Sequence, residues 1–137
     1  MASAVAVKGE KLTVEWAIDS RGRTPALKYF KALEKKDQQK MISLFKRLAD
    51  AGVIVNRKQF KSLGDKGEGL WEFKDFQQRF LGDFRPGGRF VIAHGLQKQQ
   101  DDLDPNDIAR AKRILGEHDA REEKERQAQA SKAKTER

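Results

Sequence analysis

The sequence predicts an α+β domain with an N-terminal strand, a helical hairpin, a three-stranded antiparallel meander and a C-terminal helix, the helices packed on one face of a small sheet. Three observations carry this expectation. Apolar residues alternate with polar ones over residues 12–16 and again over 70–85, the period of strands with one buried face. Between these stretches apolar residues recur every three or four positions, as on an amphipathic helix. Glycine and proline stand where elements should end or begin, at Gly52, Pro86-Gly87-Gly88 and Asp104-Pro105.

Residues 1–10 are small and polar without a clear period and are expected to form a flexible leader, with order starting near Lys11. Leu12, Val14 and Trp16 then mark the first strand, and Arg21-Gly22-Arg23 a turn. Thr24 and Pro25 open a helix, the hydroxyl capping a free N–H and the proline suiting the first helical position. Leu27, Phe30 and Leu33 share one of its faces. A second helix starting around Asp37 turns Met41, Leu44, Phe45 and Leu48 inward and stops at Gly52. Core packing accounts for both stripes.

The connection that follows is basic and glycine-rich, from Arg57 through Lys61 to Gly64, Gly67 and Gly69. It lacks the Gly-Lys-Ser/Thr of a phosphate-binding loop and reads as a mobile basic loop. Leu70–Phe76, Arg79–Arg85 and Arg89–Gly95 form the meander, with Trp71, Phe73, Phe80 and Phe84 on one face and charged residues on the other. The hairpin belongs on the aromatic face, leaving the charged face open to a ligand. Phe90-Val91-Ile92-Ala93 is apolar throughout and suits a central strand. Ile108, Ala111, Ile114 and Leu115 give the last helix its stripe, which ends at Gly116; residues 117–137 form a charged tail, helical or disordered, that adds no core. The folded domain is thus expected over residues 11–116.

Composition narrows the function. The 137 residues contain no cysteine and two histidines, which excludes disulfides, thiolate zinc sites and thiol nucleophiles and leaves too few histidines for a histidine-based metal centre; no metal or cofactor is expected. No run approaches the roughly 20 apolar residues of a membrane span and no secretory signal is visible, so a cytoplasmic protein without a membrane partner is expected. The net charge is +8; residues 117–137 carry six Lys/Arg and six Asp/Glu, leaving 23 and 15 to residues 1–116. The folded part is therefore the basic part, as a partner of a polyanion would be.

The candidate chemistry lies in Lys58, Lys61, Glu72, Lys74, Arg79, Arg85 and Lys98. RNA is cleaved without metal when its own 2′-OH attacks the adjacent phosphate and the protein supplies a proton acceptor, a charge stabiliser and a proton donor. Arg79 suits the stabiliser, because its planar fork grips phosphate oxygens and keeps its charge. Glu72 is a candidate proton acceptor, and Lys74 and Lys98 are candidate acid, base or stabilising groups. Lys58, Lys61 and Arg85 are candidate RNA-binding residues. A solvated sheet face accounts for the same charges. Alternation with Phe90 and Ile92 turns His94 inward, toward a structural role, and Trp71 reads as core rather than as a base-stacking platform.

The order of these pieces resembles the HigB-like, phage-derived branch of the RelE/ParE toxin superfamily over about residues 12–115. The resembling pieces are Gly22-Arg23-Thr24-Pro25, then Lys61-Ser62-Leu63-Gly64 ahead of Leu70-Trp71-Glu72-Phe73-Lys74, then Arg79, and finally His94-Gly95-Leu96-Gln97-Lys98 before Asp104-Pro105 and Ala111. The resemblance implies a RelE-like fold and the toxin of a type II toxin–antitoxin pair. Such a toxin is a metal-independent endoribonuclease acting on mRNA at the ribosome, inhibiting translation and neutralised by a helix-turn-helix antitoxin. By position it carries the family's basic site residues onto Lys74, Arg79 and Lys98, and Glu72 occupies a family motif position as well, so that Glu72, Lys74, Arg79 and Lys98 are the expected catalytic set. The family pattern usually has Arg at Lys74, Phe at Leu96 and a second lysine at Gln99, which implies altered or reduced activity. Two other readings share the scaffold: a ParE-like topoisomerase inhibitor, and a non-toxic phage-derived nucleic-acid-binding protein.

Overall fold

The computed structural model describes residues 4–98 and 103–135; Gln99 and residues 1–3 lie outside this range. The meander forms as the alternation predicts, as β4 (Trp71–Asp75), β5 (Gln78–Arg85) and β6 (Arg89–Gln97). It is the middle of a larger sheet. β3 (Phe60–Ser62) extends one edge, and β2 (Thr13–Trp16) and β1 (Ala4–Lys8) extend the other, in the order β1-β2-β6-β5-β4-β3. Neighbours are antiparallel except β2 and β6, which run parallel.

β1 stands where a flexible leader is expected, and from Ala4 the chain is already paired in the sheet. Ala4 to Lys8 pair with Trp16 to Thr13, and Ala4, Ala6 and Val7 pack against the core. The Ala-Val repeat offers no polar residue to contrast with an apolar one, so its period is invisible in the sequence.

α1 (Pro25–Lys31) and α2 (Lys35–Ala51) form the expected hairpin. Met41, Leu44, Phe45 and Leu48 are buried with Val14, Trp16, Phe73, Phe80 and Phe90 in one aromatic-rich core. Gly52 ends α2 at φ 78°, its N–H bonded to the Leu48 carbonyl at 2.7 Å. Thr24 departs from expectation, since it makes no side-chain cap. The far end of α1 is closed instead by Gln38 of α2, whose amide donates to the carbonyls of Phe30, Lys31 and Leu33.

The third helix overturns the one-face arrangement. α3 (Pro105–Thr135) lies on the face opposite the hairpin, burying Ala111, Ile114 and Leu115 against Ala17, Leu70, Leu81, Val91 and Ala93. It also runs through Gly116 without a break. His118, 4% exposed, accepts the Ile18 backbone N–H at Nδ1, and Glu117 accepts that of Ser20. Arg85 grips both carboxylate oxygens of Asp119, and Arg89 bridges Glu122 and the buried Glu15. Residues 117–122 therefore belong to the packed body, held by charge and hydrogen bonds where an apolar stripe is lacking. No described helix is long and apolar enough to cross a membrane.

A bulge in β6 sets what the sheet presents. Pairing with β5 shifts from Leu81–His94 to Gly82–Ile92, so Ala93 is an extra residue. Val91 and Ala93 face α3, and after the bulge the even-numbered residues take over that face. Leu96 packs on the α3 side, and His94 Nε2 meets Asp107 of α3 at 2.7 Å. The inward placement expected for His94 from Phe90 and Ile92 is thus corrected: one added residue reverses the side chains beyond it. Gly95 now faces the hairpin, where a Cβ would stand 2.5 Å from Tyr29 Cδ2 and 2.8 Å from Phe80 Cε1. Gly95→Ala is expected to cost about 2 kcal/mol in denaturant unfolding, as overpacked cores do; an unchanged midpoint would refute this packing.

Candidate functional site

α3 covers β2, β6 and the end of β5, leaving β3, β4 and the start of β5 uncovered on the same face. Antiparallel register sets Lys61 opposite Glu72 and Lys74 opposite Arg79, so these side chains share that face. Without the β6 bulge, Lys98 would fall on the hairpin side. With it, Lys98 joins Glu72, Lys61 and Lys66 in lining a cleft of about 450 Å³, bounded on its apolar side by Leu103 and Ile108.

At the base of the cluster Glu72 is fully buried, and neither carboxylate oxygen has a hydrogen-bond partner. Its Oε2 stands 3.8 Å from Nε of Arg79, an ion pair too long for a hydrogen bond. Arg79 is 9% exposed, and its Nη1 donates to the carbonyls of Phe76 and Gln78. The guanidinium is thus fixed by β-hairpin carbonyls on one side and a buried anion on the other. Glu72, expected as proton acceptor, lines the cleft with its carboxylate buried beside Arg79.

Burial lowers the pKa of Lys74 below the usual lysine value, and the neighbouring Lys61 pushes it the same way. Arg79 and Lys98 add to the fall, while Glu72 opposes it. A lysine among other cations gives up its proton more readily, so the neutral amine that accepts a proton forms nearer to neutrality.

Of the candidate residues, the structure thus gathers Lys61, Glu72, Lys74, Arg79 and Lys98. Lys58 stands apart, exposed in the turn before β3. Arg85 is corrected from an open-face ligand to a structural one, because α3 covers its end of the sheet and Asp119 and Asp83 engage its charge. Lys66 was missed as a cleft residue. The loop carrying it, expected to be mobile, is a 3-10 turn at Asp65–Gly67 closed by bonds from Gly67 and Gly69 to the Gly64 carbonyl and from Leu63 to that of Leu70.

Among the described residues one set, Glu15, His118 and Glu122, brings its ligating atoms within 4.8 Å of one another. It does not suit a metal. Nδ1 of His118 accepts a backbone N–H, so the ring proton of the neutral form sits on Nε2, where a metal would need a lone pair. Arg89 already bridges the two carboxylates.

Against models of protein families, residues 28–115 match the family described as phage derived protein Gp49-like (DUF891). The matched segment contains every member of the gathered cluster. No curated protein matches the chain significantly.

Proposed function

The chain belongs to the phage-derived Gp49-like family, within the RelE/ParE-like toxin superfamily, and from that premise we propose that it is a toxin that cleaves messenger RNA in the cytoplasm. Members of the family are often toxins paired with an antitoxin. On this reading the chain acts as the HigB-like branch does, at the ribosome, until a helix-turn-helix antitoxin binds it. The observation that carries the reading is the gathering of Lys61, Lys74, Arg79 and Lys98 around one buried carboxylate on the half of the sheet face that α3 leaves uncovered.

In the reaction, neutral Lys74 takes the proton of a ribose 2′-OH as the 2′-oxygen bonds to the adjacent phosphorus. The bond from phosphorus to the 5′-oxygen of the next nucleotide breaks, and protonated Lys98 gives that oxygen a proton. The products are a 2′,3′-cyclic phosphate and a 5′-hydroxyl. Arg79 and Lys61 hold the phosphate oxygens as their charge grows. Glu72 is a positioning residue that aims Arg79, and Lys58 guides the strand from outside the cluster.

Where the family pattern usually carries arginine, Lys74 can titrate, as arginine cannot. Only the neutral amine accepts a proton, so cleavage should rise with pH along a limb centred below the ordinary lysine value of 10.5. Lys74→Arg should keep RNA binding, lose about a hundredfold in rate and abolish the limb. A pH–rate profile of the purified protein on RNA, with and without ribosomes, tests this. An unaltered profile in Lys74→Arg would remove Lys74 as the base.

A further inference from the structure

The β4–β5 turn holds a residue that its backbone disfavours. Phe76 takes φ 54°, in the left-handed region, and is 88% exposed. With Asp75 paired to Gln78, Phe76 and Gln77 form a two-residue hairpin turn, where a positive φ calls for Gly, Asn or Asp. A phenylalanine there strains the backbone and leaves its ring in water, and neither effect stabilises the fold. The turn is nonetheless held firmly by residues of the candidate site. Arg79 donates to the Phe76 carbonyl, the Lys98 backbone N–H donates to that of Gln77 at 2.7 Å, and Gln97 donates to the Gln77 side chain at 3.0 Å. Lys74 lies two residues before the ring on β4.

We propose that Phe76 is a stacking platform for an unpaired base of single-stranded RNA whose phosphate rests on Arg79 and Lys98. The inference rests on the ribonuclease reading above and adds to it the contact to the base. Strain kept at an exposed position points to a function served there. The surroundings favour nucleic acid over a protein partner. A protein-docking surface presents a contiguous apolar patch, whereas the other exposed large apolar residues among those described, Val5, Val53 and Val55, lie on β1 and in the α2–β3 connection. A lone ring beside Lys74, Arg79 and Lys98 matches the pairing of aromatic platform and cationic groove by which single strands are bound.

The test uses the full chain and a labelled 2′-O-methylated single strand, which lacks the attacking hydroxyl, with binding read by fluorescence anisotropy across a salt series. Phe76→Asn should bind about tenfold more weakly. Its salt dependence should match that of the unaltered chain, because no ionic contact is lost. Its melting temperature should hold or rise, because asparagine accepts the positive φ. Phe76→Trp should retain binding, and on a strand made abasic throughout the unaltered chain and Phe76→Asn should bind alike. Equal binding of the base-containing strand by Phe76→Asn and the unaltered chain would overturn the stacking role and leave the ribonuclease reading standing. A lowered melting temperature in Phe76→Asn would make the ring structural. Intact RNA binding with loss of an antitoxin contact would assign it to a protein partner. No binding by the unaltered chain would overturn both readings.

Discussion

Arg79→Ala is expected to lower RNA cleavage by two to three orders of magnitude, roughly the effect of removing one preorganised donor from a developing oxyanion. It should also destabilise the fold. Glu72 is fully buried, both its oxygens lack hydrogen bonds, and Arg79 is its ion-pair partner at 3.8 Å. Stranding a buried charge in this way costs about 3 kcal/mol. The two losses separate in the double variant Glu72→Gln, Arg79→Ala, which removes the stranded charge. Denaturant unfolding should show most of the stability restored while cleavage stays lost. Recovery of cleavage in the double variant would show that Arg79 serves the fold alone.

Ending the chain before Glu117 is expected to cost about 3 kcal/mol or more, whereas ending it after Glu123 should change stability by less than about 0.5 kcal/mol. The first truncation removes Asp119 from Arg85, Glu122 from Arg89 and the His118 ring from its buried seat against Ile18. The ion pairs are partly exposed, which lowers their share, but the loss of His118 also opens the core under α3. The second truncation removes a stretch whose described side chains are exposed. Equal midpoints for the two truncated chains would show that the charged segment is only a solvated extension.

These two results bear on what the residues themselves reveal. The hairpin was legible because Met41, Leu44, Phe45 and Leu48 repeat at helical spacing, and the meander because Trp71, Phe73, Phe80 and Phe84 alternate with charge. α3 was legible only as far as Leu115. Its next turns dock through Glu117, His118, Asp119 and Glu122, whose partners lie on distant strands, and ion pairs of that kind leave no periodic signature. The one-face packing failed for the same reason. Charged Glu15, Arg85 and Arg89 read as a solvated face until a helix supplies their counterparts.

The basic cluster was largely visible as residue types and strand positions, because paired strands bring Lys61, Glu72, Lys74 and Arg79 to one face by register. Lys98 joined it through a bulge that packing decides, and strict alternation would have misplaced it. Burial of Glu72 depends on the packing around β4, which alternation along a single strand does not encode, and it sets the carboxylate beside Arg79. Phe76 gave no signal, since a backbone dihedral cannot be read from composition.

The central claim is that the uncovered basic half of the sheet cleaves RNA, and the chemistry of transcript ends tests it most directly. With the chain expressed alone, sequencing of RNA fragments by end type should reveal new messenger breaks carrying 2′,3′-cyclic phosphate and 5′-hydroxyl ends, absent when Arg79→Lys is expressed at the same level. Intact transcripts accompanied by DNA damage, or growth unaffected by the unaltered chain, would contradict it.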